Sequence, residues 1–200
     1  MLEPLVKSRP LIGESVVDRD NQQETVKDTE LAWLAGFLDS DGSIQMTIPR
    51  SSRAKNRRVV NLWVDFSNGD PAIIDKALSI LDKLDVGCHT AQKHVKPIYK
   101  QDGSYYLPNR KICLSLRIGK MANIEKLLRA VSPYLAGQKK ALSNILIRFC
   151  ESRAGKGRKT YDEQDILIVE EFFRQSDGRF AARNLEYLDG FLNDCTLSAA

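Results

Sequence analysis

The spacing of apolar positions changes several times along the chain, and each change marks an element. Leu31, Leu34, Ala35 and Leu38 recur at helical spacing. Thr29 stands where a helix cap belongs, with Ala32 at the third helical position and so no capping box. Asp41-Gly42 is a turn and C-cap signal. From Ser43 to Ile48 the period drops to two, with Ile44, Met46 and Ile48 on one face. After a loop at 49–57, Val59 to Phe66 returns as the second arm of a hairpin. Asp70 and Pro71 then open a helix at its N-cap and first position. Its stripe is Ile73, Ile74, Ala77, Leu78, Leu81 and Leu84, and Gly87 ends it. Residues 88–99 and 110–118 form a second hairpin around the loop 100–109, with Ile112, Leu114, Leu116 and Ile118 on one face. Helices follow over 120–132 and 138–150, then near 162–174 and 180–192.

The order helix–strand–strand–helix–strand–strand–helix predicts a mixed α+β domain with one four-stranded antiparallel sheet. Helices cover one face and leave the other open. An arm at 1–28, a core at 29–152 and a helical extension at 153–200 are the expected divisions. Opposite the apolar residues, the hairpins carry Gln45, Thr47, Arg58, Asn61, Trp63, Asp65, Ser67, Lys93 and Arg117. Polar residues are ordinary on a solvent-facing sheet. They also suit a DNA major groove, which admits a β-ribbon.

Charge favours the second alternative. The 200 residues sum to only +4, but residues 31–160 carry +13, between ends of −3 (1–30) and −6 (161–200). A basic body points to a polyanionic partner. Arg50, Arg53, Lys55, Arg57 and Arg58 gather at the first hairpin, and Lys96 and Arg110 flank the second. Cys88, Cys113, Cys150 and Cys195 show no paired metal-ligand spacing, so free thiols are expected. No apolar run approaches the ~18 residues of a membrane span, and no signal pattern opens the chain. The expected setting is intracellular, in a prokaryotic cytoplasm or an organelle.

Chemistry concentrates in Leu34-Ala35-Gly36-Phe37-Leu38-Asp39-Ser40-Asp41-Gly42. Gly36 costs about 1 kcal/mol in helix propensity. Asp39 and Asp41 sit in the last helical turn, where the dipole disfavours anions. Local conflicts of this kind collect at functional sites, and a bound cation would relieve the second. A routine helix end is the alternative.

The segment LAGFLDSDG closely resembles the motif of LAGLIDADG homing endonucleases, and the resemblance extends over about 30–150. It implies an αββαββα core and hydrolysis of both strands of a long, near-palindromic DNA target. It implies Mg²⁺ as cofactor, with Mn²⁺ as a substitute, bound by Asp41 with help from the Ser40 carbonyl. A polar residue that orients water is expected near the base of the second strand, where Asn68 is the best match and Ser67 the next. A basic residue is expected entering the helix after the core, where Gln138 holds the strict position and Lys139 follows it. Gln45, Thr47, Arg50, Arg53, Lys55, Arg57, Arg58, Asn61, Trp63, Asp65, Lys93, Lys96, Arg110 and Arg117 are the expected DNA contacts. The motif helix is expected to meet its counterpart through Leu34, Ala35, Gly36, Leu38 and Asp39. Residues 187–194, YLDGFLND, resemble the motif only superficially, since Asp189 replaces the small residue and Cys195 the metal ligand. One motif per chain implies a homodimer on double-stranded DNA, with neither a membrane nor a small-molecule substrate. An RNA splicing maturase or a non-cleaving DNA-binding protein is the alternative on the same fold.

Overall fold

The structure, a computed structural model, describes residues 25–51, 57–93, 98–99, 104–106, 113–156, 161–176 and 188–191. Helix α1 (Asp28–Asp41) has its N-cap at Lys27, two residues before the expected Thr29, with Glu30 at the third helical position closing a capping box. The Glu30 carboxylate accepts the Lys27 N–H at 3.0 Å, an anion at the positive end of the helix. At the other end Gly42 has φ −92° and ψ 171°, so the helix runs directly into a strand without a left-handed turn. Glycine is needed there for space. A Cβ would lie 2.6 Å from Leu38 Cδ1 and 2.8 Å from Leu38 Cα.

The first hairpin comprises β1 (Gly42–Thr47), β2 (Arg50–Ser51), β3 (Arg57–Arg58) and β4 (Asn61–Asn68). In α2 (Pro71–Lys83), Asp70 accepts the Ala72 N–H at 2.9 Å, as its place before Pro71 predicts. The helix stops well before Gly87. Asp85, with φ 49°, makes the left-handed step instead, a conformation Asp tolerates better than most residues. The second hairpin holds β5 (His89–Lys93), β6 (Ile98–Tyr99), β7 (Tyr105–Tyr106) and β8 (Cys113–Ile118). It is followed by α3 (Met121–Val131), a 3₁₀ turn (Ser132–Tyr134), α4 (Gly137–Ser152) and α5 (Glu163–Gln175).

The main sheet is antiparallel in the order β1-β4-β8-β5, which brings the two hairpins together along β4 and β8. Ile44, Met46, Leu62, Val64, Phe66, Leu116 and Ile118 are buried in one core with α1 residues Leu34 and Leu38 and with residues of α2, α3 and α4. Ile168, Val169, Phe172 and Phe173 of α5 join the same core, as do Leu188 and Phe191. The C-terminal extension thus shares its core with the hairpins. A buried pair fixes it: Arg153 Nη1 lies 2.9 Å from Asp165 Oδ2, with both side chains nearly inaccessible. Among the described residues, no helix is long and apolar enough to cross a membrane.

Candidate active site and nucleic-acid interface

The end of α1 gathers the motif's polar groups. Asp41 is exposed, and its Oδ2 accepts from the Asn68 side-chain amide at 3.0 Å. Asn68 Oδ1 in turn accepts the Asp70 N–H at 2.9 Å, which fixes the amide orientation. Asp39 points elsewhere. Its Oδ2 accepts the Ala136 N–H at 3.1 Å and ties α1 to the start of α4. The Ser40 hydroxyl donates back to the Phe37 carbonyl at 3.3 Å.

No basic residue lies in the last turn of α1, so the helix does not neutralise its own negative end. Lys139 does so from α4. Its Nζ donates to the carbonyls of Leu38 and Asp39 at 2.6 Å each and of Gly42 at 3.0 Å. Burial pulls the Lys139 pKa below the ordinary lysine value, and the charges of Asp39 and Asp41 oppose that shift. Of the two expected residues, the structure brings Lys139 to this end and takes Gln138 away from it. The Gln138 side chain donates to the Gln175 carbonyl at 2.8 Å, at the end of α5. Successive helical positions diverge by about 100°, so only one of the pair can face α1.

Cation chemistry can be judged on the donors present. Among the described residues no three His, Cys, Asp or Glu cluster as a metal cage. The Asp41 carboxylate is exposed, and the Ser40 carbonyl is not among the acceptors Lys139 takes. Carboxylate and carbonyl oxygens are hard donors that fit Mg²⁺, which keeps several waters and shares its shell with phosphate. The donor set fits such an ion, whose remaining positions waters and phosphate oxygens would fill.

The open sheet face starts beside this cluster. Register places Ser43, Asp65, Arg117 and His89 in one row across the four strands, Gln45 beside Trp63, and Thr47 beside Asn61. Ser67, Ser115 and Ala91 form the next row. Gln45, Thr47, Asn61, Trp63 and Arg117 therefore share the face expected of them. Asp65 lies on it too but is only 5% exposed and is engaged by Arg117. It is a support within the sheet and presents no free carboxylate on that face. Arg50 pairs with Arg58 on the β2–β3 ladder, Ser51 with Arg57, and Lys93 ends β5. Arg53, Lys55, Lys96 and Arg110 lie outside the described residues.

The expected dimer residues divide. Leu34, Ala35 and Leu38 have no exposed surface and belong to the chain's own core, so they are unavailable to a partner. Gly36 is exposed, and a Cβ there would meet nothing within 4 Å. Ala32 and Ser40, one turn to either side, are exposed as well. The outward stripe of α1 is thus Ala32-Gly36-Ser40, and its four-residue spacing was the sequence signal for Ala32.

No family model and no curated protein matches the sequence. Solved structures share its architecture. The group I intron-encoded homing endonuclease I-CeuI, complexed with DNA, matches with a TM-score of 0.54 at 16% identity, over 77% of this chain and 69% of its own. The homing endonuclease I-TnaI gives 0.51 at 18% identity over 82% and 99% of the two chains. The archaeal intron-encoded I-Vdi141I, complexed with DNA, gives 0.51 at 12% identity over 82% and 97%. The chain has the LAGLIDADG homing endonuclease fold, in the αββαββα order expected from its sequence.

Proposed function

We propose that the protein is a homodimeric, site-specific DNA endonuclease that hydrolyses both strands of a long, near-palindromic duplex. The observation that carries this is the cluster at the end of α1, where Asp41, Asn68 and Lys139 converge at the margin of an open polar sheet face.

Each group has work to do in phosphodiester hydrolysis. Asp41 and the Ser40 carbonyl would hold Mg²⁺, or Mn²⁺ in its place. When bound, the ion supplies charge neutralisation and a more acidic water. Asn68 holds the Asp41 carboxylate in one rotamer and has an amide suited to orienting water. Lys139 places an ammonium beside the helix end, where it offsets the carbonyl dipoles and adds positive potential near a phosphate. The sheet lies against the major groove, and the basic hairpin residues engage backbone phosphates. One motif helix per chain gives one half-site per protomer, and the Ala32-Gly36-Ser40 stripe lets two copies of α1 approach closely.

The test is cleavage of a duplex DNA library with and without Mg²⁺, followed by sequencing of the ends. Asp41→Asn is expected to keep DNA binding and lose cleavage by at least about a hundredfold, the scale of losing a group that acts on transition-state charge. Undiminished cleavage by that variant rejects the site. Binding without cleavage by the wild type would instead favour a non-cleaving protein on this fold.

A further inference from the structure

In the centre of the open face, Arg117 Nε donates to Asp65 Oδ1 at 2.8 Å and Nη2 donates to Asp65 Oδ2 at 2.7 Å. The two residues are direct cross-strand partners. The guanidinium carbon also lies 5.1 Å from the centre of the Trp63 ring. The carboxylate is buried, whereas the arginine side chain is half exposed. The guanidinium is therefore gripped along one side by a buried anion and flanked by an aromatic ring, on a side chain that keeps half its surface exposed.

A guanidinium has five N–H donors, and Asp65 uses the pair on the Nε edge. The end-on fork formed by Nη1 and the outer hydrogen of Nη2 is not used by Asp65, on a side chain that is half exposed. Asp65 cancels the charge of Arg117, so the pair is a poor anchor for phosphate. It remains a good geometric donor fork, held in one rotamer before any ligand arrives. In the major groove, guanine presents two acceptors together, O6 and N7, and a planar fork matches them.

We infer that Arg117 reads a guanine in each half-site of the DNA target and that Asp65 is its positioning residue. This rests on the DNA-binding function proposed above. Asp65 is three residues along β4 from Asn68, about 10 Å at strand rise. The guanine then falls on the order of three base pairs from the phosphate beside Asp41, at about 3.4 Å per base along a strand.

The experiment is selection of duplexes from a randomised library by the full-length protein, with the retained DNA sequenced. The wild type should enrich guanine at one position of each half-site by about tenfold to a hundredfold, the range for one bidentate base contact. Arg117→Gln should switch that position alone to adenine, whose N6 and N7 match a carboxamide. Asp65→Asn, which removes the buried charge but keeps the shape, should retain guanine with weaker enrichment. Thermal unfolding of each variant establishes that it is folded. Guanine preference that survives Arg117→Gln overturns the assignment. So does a uniform loss of binding at every position, which would mark Arg117 as a phosphate contact or a structural pair. Failure of the folded wild type to enrich any sequence is a different result and rejects the DNA-binding function together with the inference.

Discussion

Gly42 shows how much one missing side chain controls. The last turn of α1 passes directly into β1 with no intervening loop, and the backbone at position 42 lies against Leu38. An alanine Cβ would sit 2.9 Å from the Leu38 carbonyl oxygen and closer still to two Leu38 carbons. Two of these three atoms are backbone, so a rotamer change cannot make room. Gly42→Ala should lower stability by about 3 kcal/mol, the upper part of the usual overpacking range, as measured by chemical denaturation. Cleavage should fall further than stability, because the shift is delivered to the neighbouring Asp41. At the same scale, the anionic last turn of α1 is a conflict within its own segment and is balanced in the folded chain. The compensating ammonium comes from Lys139, about a hundred residues away, and no local pattern could have supplied it.

At the scale of elements, α5 is attached to α4 by charge as well as by apolar packing. Asp165 has no exposed surface, pairs with Arg153, accepts from Ser152 Oγ at 2.6 Å and accepts the Asp162 N–H at 3.2 Å. Removing one partner of a buried pair strands the other, so Asp165→Ala should cost about 3–5 kcal/mol. The nearby Arg148–Glu171 pair is half exposed on both sides, and Glu171→Gln should cost under about 1 kcal/mol. Denaturation of the two variants side by side checks the contrast. The elements themselves were largely legible in the sequence. The Asp70-Pro71 start of α2 and the alternation in β1 are local signals, and they hold. The end of α2 did not follow, because Asp85 and not Gly87 takes the left-handed conformation. The motif helix also has two faces, a buried one and an exposed one, which its sequence did not separate. Leu34, Ala35 and Leu38 were expected at a partner, but the sheet beneath them claims them first.

For the whole molecule, that outward stripe predicts how assembly and folding separate. Gly36→Leu adds a side chain where the single chain has open space and removes a residue costing about 1 kcal/mol in a helix. The folded protomer should therefore be as stable as the wild type or slightly more so. If the proposed dimer packs α1 against its counterpart, association and DNA cleavage should both weaken, since the added side chain would hold the two helices apart. Sedimentation of wild type and variant is the measurement, and an unchanged dimer would place the interface elsewhere. Acid should act on the protomer in a defined direction. The pKa of Glu30 is held below the carboxylate norm first by the Lys27 N–H and then by Lys83, that of Asp85 by Lys126, and that of Asp162 by Lys156. A lowered folded-state pKa stabilises the fold above the unfolded value, and that stabilisation is lost as pH falls through the folded one. The melting temperature should thus decline on acidification through and below the ordinary carboxylate range, and less steeply in Glu30→Gln.

Apolar periodicity by itself determined the order of elements and which strand face turns inward, because alternation and helical spacing are properties of the local chain. The segment LAGFLDSDG located the candidate chemistry for the same reason: its residues are contiguous. Tertiary structure alone decided which of Gln138 and Lys139 faces that chemistry, because rotation about α4 depends on how the helix packs. It also decided that Asp65 supports Arg117, since these residues are 52 positions apart and meet only when β4 and β8 pair in register.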